Sequence, residues 1–218
     1  MNQTDGWQRM SVDLVSWSNN PQAAAMAAGV CYDAKNPQKA LEHAMSGGHE
    51  SVVEHVSYTF RIRGISRACL AQLTRHRLAS FSVRSQRYTN QEDSQVVCPK
   101  SVQNNMDLLL FWHKTVEACR ALYQSMIDAG IPKEDARYIL PEGTETELYL
   151  TMNARELRHF FSLRCCNRAQ WEIRSVADTM LALVRTVTPE LFSDAGPGCV
   201  RGRCTEAKPC GHPRCGEK

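Results

Sequence analysis

The residues best suited to chemistry lie in one polar segment, 75–88, which reads Arg-His-Arg-Leu-Ala-Ser-Phe-Ser-Val-Arg-Ser-Gln-Arg-Tyr. Guanidinium groups are suited to bind phosphate in a bidentate manner, and serine hydroxyls and loop amides offer further donors. Such groups on one ordered loop favour a phosphorylated small molecule as ligand. A solvated basic loop and a nucleic-acid patch stay open at this point, because both also collect arginines.

Composition limits the classes of protein to consider. The chain has 218 residues, 43% of them hydrophobic, and a net charge of +3, which suits one sizeable domain and falls short of a strongly basic nucleic-acid binder. The segment 1–7 lacks the apolar core of a secretory signal, and no apolar run has the length of a membrane span. We expect a cytoplasmic protein without a membrane or nucleic-acid partner.

Two segments, 56–62 and 146–152, alternate apolar and polar residues and predict strands with one buried face. Gly64 is expected to end the first strand. Ser66 is expected to cap a helix that runs into Arg75. The polar segment that follows, as far as Pro99, predicts no core element.

Helices are predicted for most of the remaining chain. Asn153 is a candidate N-cap for 154–164, and Glu156, three residues later, is placed to complete a capping box. Further helices are predicted over 102–129, 132–137 and 169–187. We therefore expect an α+β (α/β) fold, a single domain over 1–195 with a small central antiparallel or mixed sheet flanked by long helices.

The 75–88 segment resembles the signature R-H-R-x-x-S-x-N-x-x-S-x-R of flavin-dependent thymidylate synthases. Ser82 stands where that pattern most often has asparagine. Similar segments continue in the family's order from about residue 10 to 195, at 49–55, 136–141, 153–155, 163–164 and 169–173. The signature positions that match are Arg75, His76, Arg77, Ser80, Ser85 and Arg87.

The resemblance implies an enzyme that converts dUMP to dTMP. In the family, methylenetetrahydrofolate is the carbon donor, FAD carries the hydride and NADPH is the reductant. The family's α/β domain forms a homotetramer whose active sites are each built from several subunits. Flavin and dUMP stack against one another in those sites.

The resemblance also implies the residues that contact FAD. Val83 would contribute only its backbone, and His159 stands at a position often filled by asparagine. A histidine on the helix surface without a ligand is the other interpretation of His159. Exposed amides at a helix N-terminus favour an anionic group, which agrees with the turn at 153–155. The full FAD set is Ser51, Arg75, His76, Arg77, Val83, Asn153, Ala154, Arg155 and His159.

For dUMP the resemblance implies a second set. Gln72 and Arg75 are three residues apart and are expected on one helix face. Arg87 and Arg137 are expected to bind the phosphate. The full substrate set is Gln72, Leu73, Thr74, Arg75, Val83, Arg84, Ser85, Gln86, Arg87, Arg137 and Arg164.

Arg164 is the residue implied to be catalytic. The equivalent arginine of the family lies against the uracil and favours ionisation at N3, which makes C5 more nucleophilic. A fixed guanidinium stabilises charge that develops on the ring during reaction. A surface arginine that interacts with the helix dipole is the alternative. Cys165 or Cys166 as a thiolate nucleophile is a further alternative, but packing is the expected role of both.

Ten cysteines are present, and four of them lie in the segment 196–218. Together with His212, this segment is expected to form a Cys-rich tail separate from the domain over 1–195. Zinc is a possible ligand, although the spacing lacks the tight C-x2-C pairs of common zinc modules. Two alternatives stay open, namely a flexible tail with free thiols and a tail linked by disulfides. The candidate metal ligands are Cys199, Cys204, Cys210 and Cys215.

Overall fold

A computed structural model describes residues 9–18, 20, 22–204 and 206–214. In this part of the chain the α+β class is confirmed, because one small antiparallel sheet is accompanied by many helices. The sheet has four strands in the order β1-β2-β4-β3. They are β1 (Ser11–Trp17), β2 (Ser57–Ser66), β3 (Ala79–Val83) and β4 (Glu145–Asn153).

The helices within these ranges vary greatly in length. The short 3₁₀ turns Glu50–His55, Arg137–Ile139 and Gly198–Arg201 accompany them. The α-helices are α1 (Ala23–Cys31), α2 (Pro37–Ser46), α3 (Arg67–Leu73), α4 (Lys100–Gln103), α5 (Met106–Asp128), α6 (Lys133–Ala136), α7 (Ala154–Arg164), α8 (Trp171–Val187) and α9 (Pro189–Phe192). None of these helices is long and apolar enough to cross a membrane.

Two expectations about strands are wrong. Gly64 does not end β2, which continues to Ser66. Gly64 has a φ of +69°, and a Cβ at this position would lie 2.7 Å from the carbonyl oxygen of Arg9, so glycine permits a close backbone approach inside the strand. The polar segment after Arg75 does contain a strand, β3, whose residues are only partly buried because it is the last strand of the sheet.

Two expectations about helices also need correction. The helix predicted over 102–129 is two helices, because Asn105 accepts a hydrogen bond from the backbone of Leu108 and caps a new start at Met106. Helix α3 is capped by Ser66 as expected, but it ends at Leu73. Arg75 therefore lies beyond the helix, and it does not share a helix face with Gln72.

The fold divides into two compact units. The first unit has a core of fully buried side chains from β2, α3, α5 and β4, namely Ile62, Ile65, Leu73, Tyr123 and Leu148. The second unit has an aromatic core in which Phe161 packs edge-on against Phe160 and Phe192. The first unit comprises residues up to 11, 62–75 and 82–148, and the second comprises 12–61, 76–81 and 149 onwards.

Candidate active site

The first unit has an open cleft of about 480 Å³, which is in the range of small-ligand sites. Helix α3, the loop after β3 and the turn at 137–142 form its walls. Three of the residues expected to bind substrate line it, and three further polar or aromatic residues were not expected. These residues are Thr74, Gln86 and Arg137, with Arg67, Tyr138 and Glu142 as the additions.

The charges in this cleft favour an anion. Burial lowers the pKa of Arg67, and the nearby charge of Arg137 lowers it further, while Glu142 has the opposite effect. The cleft therefore holds two guanidinium groups against one carboxylate. A phosphate would relieve the repulsion between the two cations and bind both as a charge-assisted acceptor.

Arg87 and Arg137 both interact with Glu134 of α6. The Glu134 carboxylate lies 2.7 Å from Nε of Arg87, and the Glu134 carbonyl accepts a hydrogen bond from Nε of Arg137. The Arg87–Glu134 ion pair is about half exposed on both sides, so it is weakly held. An anionic ligand can replace Glu134 as the partner of Arg87 at little cost.

The remaining substrate candidates of the first unit lie around α3 and the loop after β3. Leu73 is fully buried in the core, which leaves only its backbone for a ligand. The Ser85 hydroxyl accepts a hydrogen bond from the Arg87 amide, as in a local turn. Gln72 and Val83 are half-buried, whereas Arg75 and Arg84 are exposed.

In the second unit the structure joins His76 to Arg164. Nε of Arg164 donates to Nε2 of His76 over 3.1 Å, and Nδ1 of His76 lies 3.2 Å from the Glu156 carboxylate. His76 is only 5% exposed, and its ring packs edge-on against Phe160. The candidate catalytic arginine is thus held by a histidine of the 75–88 segment.

The N-terminus of α7 carries the other candidates for FAD. Asn153 caps the helix by accepting from the Glu156 amide at 2.9 Å, as expected. The Ala154 amide instead donates to the carbonyl of Val56, so it is not exposed to a ligand. Arg155 is exposed and paired with Glu54.

The 3₁₀ turn Glu50–His55, which carries the exposed Ser51, is fixed to α7 by two ion pairs. One is the Arg155–Glu54 pair, and the other joins Arg158 to Glu50 over 2.7 Å. These contacts place Ser51 beside the start of α7. His159 and Arg77 are exposed, and the His159 ring centroid lies 6.1 Å from that of His76.

Sequence reasoning missed Arg158, which is 3% exposed at its side chain. Its guanidinium also donates to both carboxylate oxygens of Asp194 and to the carbonyl of Leu191. A signal was available, because Arg158 lies four residues after Ala154 and three before Phe161, on the face that helical periodicity assigns to the core.

Cys165 is expected to be inert. Burial raises the pKa of its thiol well above the ordinary range, and Asp178 raises it further. The thiolate needed for nucleophilic attack is therefore absent near neutral pH. We expect a thiol reagent to modify the exposed Cys31 in the folded protein while Cys165 stays unmodified, measured by mass spectrometry of peptides. A Cys165→Ala variant that loses turnover but keeps its fold would contradict this.

Within the second unit, the described part of the Cys-rich tail contacts α7, α8 and the turn between them through backbone carbonyls and the side chains of Arg214 and Glu206. Arg214 donates to the Cys165 carbonyl and pairs with Asp178 over 2.7 Å. Asn167 and Arg168 donate to tail carbonyls. The tail and the turn after α7 enclose a cavity of about 190 Å³ that Cys166, Cys199, Cys204, Cys210 and His212 line.

No group of three or more metal-ligating side chains converges among the residues for which coordinates are described. Cys199, Cys204 and Cys210 belong to that part of the chain and have free thiols, whereas Cys215 lies outside the described residues. A zinc site that uses Cys215 therefore stays a prediction.

The fold and these sites match known proteins of one class. A family described as thymidylate synthase complementing protein matches residues 13–190. In fold, the chain is similar to a UMP/dUMP methylase from Streptomyces cacaoi bound with 5-Br dUMP, at a TM-score of 0.75 and 30% identity over 86% of this chain and 96% of that one. The sequence thus places the chain in the class described as thymidylate synthase complementing protein, and its fold agrees with that of the methylase.

Relatives of known name narrow this class. A flavin-dependent thymidylate synthase from Geobacter sulfurreducens is 46% identical over 90% of this chain and 91% of its own length. One from Clostridium tetani is 38% identical over 93% of both chains. Thymidylate synthase X from Helicobacter pylori, solved with FAD and dUMP, has a TM-score of 0.69 and 25% identity over 85% of this chain and 98% of that one. The chain belongs to the flavin-dependent thymidylate synthase family and is an enzyme.

Proposed function

We propose that this enzyme converts dUMP to dTMP with methylenetetrahydrofolate as carbon donor, FAD as hydride carrier and NADPH as reductant. The observation that carries the proposal is the Arg164 guanidinium, which the signature residue His76 holds in place over 3.1 Å. The names of the relatives and the FAD and dUMP in the Helicobacter pylori structure support the same chemistry.

Arg164 is the proposed catalytic residue. Its positive charge, placed against the uracil, stabilises the anion that forms when N3 loses its proton, and this raises electron density at C5. Because His76 fixes the guanidinium at Nε, little reorganisation is needed when that charge develops. The Cys165 thiol takes no part, since burial keeps it protonated.

The residues of the second unit suit FAD by their chemistry. Arg77 and Arg155 expose guanidinium groups, and Ser51 exposes a hydroxyl, which together match a pyrophosphate and its neighbouring sugars. Bound there, FAD would supply hydride chemistry that no side chain can provide. His76 and Asn153 are buried or half-buried and are proposed to shape the site rather than to neutralise the phosphates.

Arg137 is proposed to bind the dUMP phosphate together with Arg87, while Gln86 holds the nucleotide in the cleft. Replacing Arg137 with alanine removes one charge-assisted contact, which is worth about 1.5–3 kcal/mol. We expect the KM for dUMP to rise about 10–100-fold. Steady-state kinetics with dUMP as the varied substrate measure this.

Arg120→Ala is the matched control, because Arg120 lies in the same unit on α5 and bonds to Glu117 and Ser94 instead of lining the cleft. Its KM should stay at the wild-type value. An unchanged KM in Arg137→Ala would remove this residue from the phosphate site.

A homotetramer with active sites shared between subunits belongs to the same proposal. Exposed apolar side chains on α5 support it, because such a patch suits burial against another copy of the chain. These side chains are Met106, Leu108, Leu110 and Phe111. A cytoplasmic location is also proposed, which the free thiols among the described cysteines support.

The proposal is tested by incubating the purified protein with FAD, NADPH, methylenetetrahydrofolate and dUMP labelled with tritium at C5. Methylation at C5 must release that tritium into water. Release that needs flavin, and that needs a higher dUMP concentration in the Arg137→Ala variant, supports the proposal. A colourless protein that binds nucleic acid and releases no tritium would reject it.

A further inference from the structure

Three side chains of the second unit form a continuous chain from the start of α7 to its end. The Glu156 carboxylate lies 3.2 Å from Nδ1 of His76, and Nε2 of His76 lies 3.1 Å from Nε of Arg164. Glu156 and His76 are 8% and 5% exposed, so water does not compete freely for these contacts. Glu156 has no role in any function proposed above.

The chemistry of the groups fixes where the proton of His76 lies. A guanidinium has only N–H donors, so Nε2 of His76 must accept from Arg164 and cannot carry a proton. In a neutral imidazole the proton then lies on Nδ1, which donates it to the Glu156 carboxylate. An acceptor beside Nδ1 and a donor beside Nε2 therefore specify one tautomer.

Burial and nearby positive charge favour a neutral His76 near pH 7. Burial lowers the pKa of His76, the hydrogen bond with Glu156 opposes this effect, and the charges of Arg164 and His159 lower the pKa further. Protonation would direct an Nε2–H group at Arg164 and break the contact. The contact between His76 and Arg164 is therefore intact above the pKa of His76 and is lost as the pH falls through that pKa.

From its position in the sequence, Glu156 was expected to complete a capping box. Its contact with His76 does not fit that role. As the third residue of α7, it is placed to return its carboxylate to the backbone of the cap residue Asn153. The Asn153 side chain does accept from the Glu156 amide, but the Glu156 carboxylate lies against His76. The dipole of α7 also favours the negative charge of Glu156, because this residue lies in the first turn of the helix.

We propose that Glu156 is a positioning residue for the reaction, and that it acts through His76 to hold the Arg164 guanidinium in one orientation. Anchoring at Nε fixes the plane of the guanidinium, since the three nitrogens are coplanar with the carbon that joins them. This proposal rests on the proposed function, because it assigns the role of Glu156 through the catalytic role of Arg164.

The test is Glu156→Gln, which keeps the size of the side chain and removes its charge. We expect kcat for dTMP formation to fall about 10–100-fold, as is typical when a group that orients a catalytic residue is lost. The KM for dUMP and the reduction of bound flavin by NADPH should stay close to wild type. Glu172→Gln is the matched control, because Glu172 is also buried and lies in the first turn of α8.

The pH profile separates positioning from a purely structural role. Because Glu156 raises the pKa of His76, its replacement by glutamine should move the acid limb of kcat to lower pH. A structural defect would lower kcat without moving this limb. The double variant Glu156→Gln/Arg164→Lys should be no slower than Arg164→Lys alone, since both changes disrupt one unit.

Nitrogen-15 NMR of the wild-type histidines gives a test that needs no variant. The account requires a neutral His76 with its proton on Nδ1 at pH 7.5, and a proton on Nε2 would overturn it. Equal losses of kcat in Glu156→Gln and Glu172→Gln, or an unmoved acid limb, would also overturn it. If wild-type protein forms no dTMP, the proposed function fails, whereas a wild-type rate in Glu156→Gln defeats only the role of Glu156.

Discussion

Replacing Arg164 with alanine is expected to lower kcat for dTMP formation about 10²–10³-fold, the usual loss when one fixed donor to a developing anion is removed. The guanidinium is half-buried at the end of α7 and is oriented by His76 before substrate arrives. In the proposed mechanism, the N3 anion of the uracil has no fixed counter-charge without it. Arg164→Lys should also be slow, because an ammonium lacks the planar group that His76 anchors. Single-turnover formation of dTMP measures the effect on chemistry directly.

Arg168→Ala is the matched control, because Arg168 lies four residues further on and is 47% exposed at its side chain. It bonds to Lys208 and Glu206 of the tail rather than to His76. Its kcat should equal that of the wild type. An Arg164→Ala variant with a wild-type kcat would show that Arg164 is a surface residue interacting with the helix dipole.

Replacing Arg158 with methionine is expected to cause the largest loss of stability among the changes considered. The buried guanidinium pairs with Glu50 and Asp194, and its removal leaves two carboxylates without their partner. Breaking a buried pair on one side costs about 3–5 kcal/mol, and the partial exposure of Asp194 favours the lower end, about 3 kcal/mol. Urea unfolding followed by circular dichroism measures the free energy of unfolding.

The pH dependence of stability supplies the control for this prediction. Hydrogen bonds from Arg158 lower the pKa of Asp194 in the folded protein. The pair therefore stabilises the fold fully above the pKa that Asp194 has in the unfolded chain. This stabilisation is lost as the pH falls through the pKa of Asp194 in the folded protein. Wild-type stability should therefore decline below about pH 4 more steeply than that of Arg158→Met. An exposed arginine changed in the same way, Arg168→Met, should cost less than about 1 kcal/mol. Equal unfolding midpoints for wild type and Arg158→Met would contradict the account.

Local sequence signals predicted the elements that depend on local chemistry. The caps at Ser66 and Asn153 were predictable because a side-chain oxygen and the amide that it accepts from are three residues apart. The alternation in β4 was predictable because one face of that strand is buried along its length. Strand β3 does alternate, since Ala79, Phe81 and Val83 flank Ser80 and Ser82, but this short run lies in a strongly polar segment and none of its residues is fully buried. Its place in the sheet is shown by pairing with β4.

The resemblance gave the candidate residues but not the contacts that organise them. Arg164 and His76 are 88 residues apart, and no periodicity indicates that their nitrogens meet. Glu156 looked like a local capping residue, and only the packing of α7 shows its carboxylate against His76. Arg67 and Arg137 likewise share a cleft through tertiary structure alone.

The 75–88 segment thus contributes differently to each unit. Its histidine is a buried part of the arrangement that holds Arg164, whereas Gln86 lines the cleft of the first unit. Ser82 is exposed in β3, so its departure from the family pattern alters a surface position and leaves the contacts of His76 intact.

In the proposed activity, the enzyme methylates dUMP with flavin chemistry while Arg164 activates the uracil. The most direct measurement is mass spectrometry of the nucleotide after reaction with dUMP, methylenetetrahydrofolate, FAD and NADPH, in wild type and Arg164→Ala. We predict dTMP from the wild type only when all four reactants are present, and a rate about 10²–10³-fold lower from the variant that retains bound flavin. Formation of dTMP without flavin, or at equal rates by both proteins, would contradict the account.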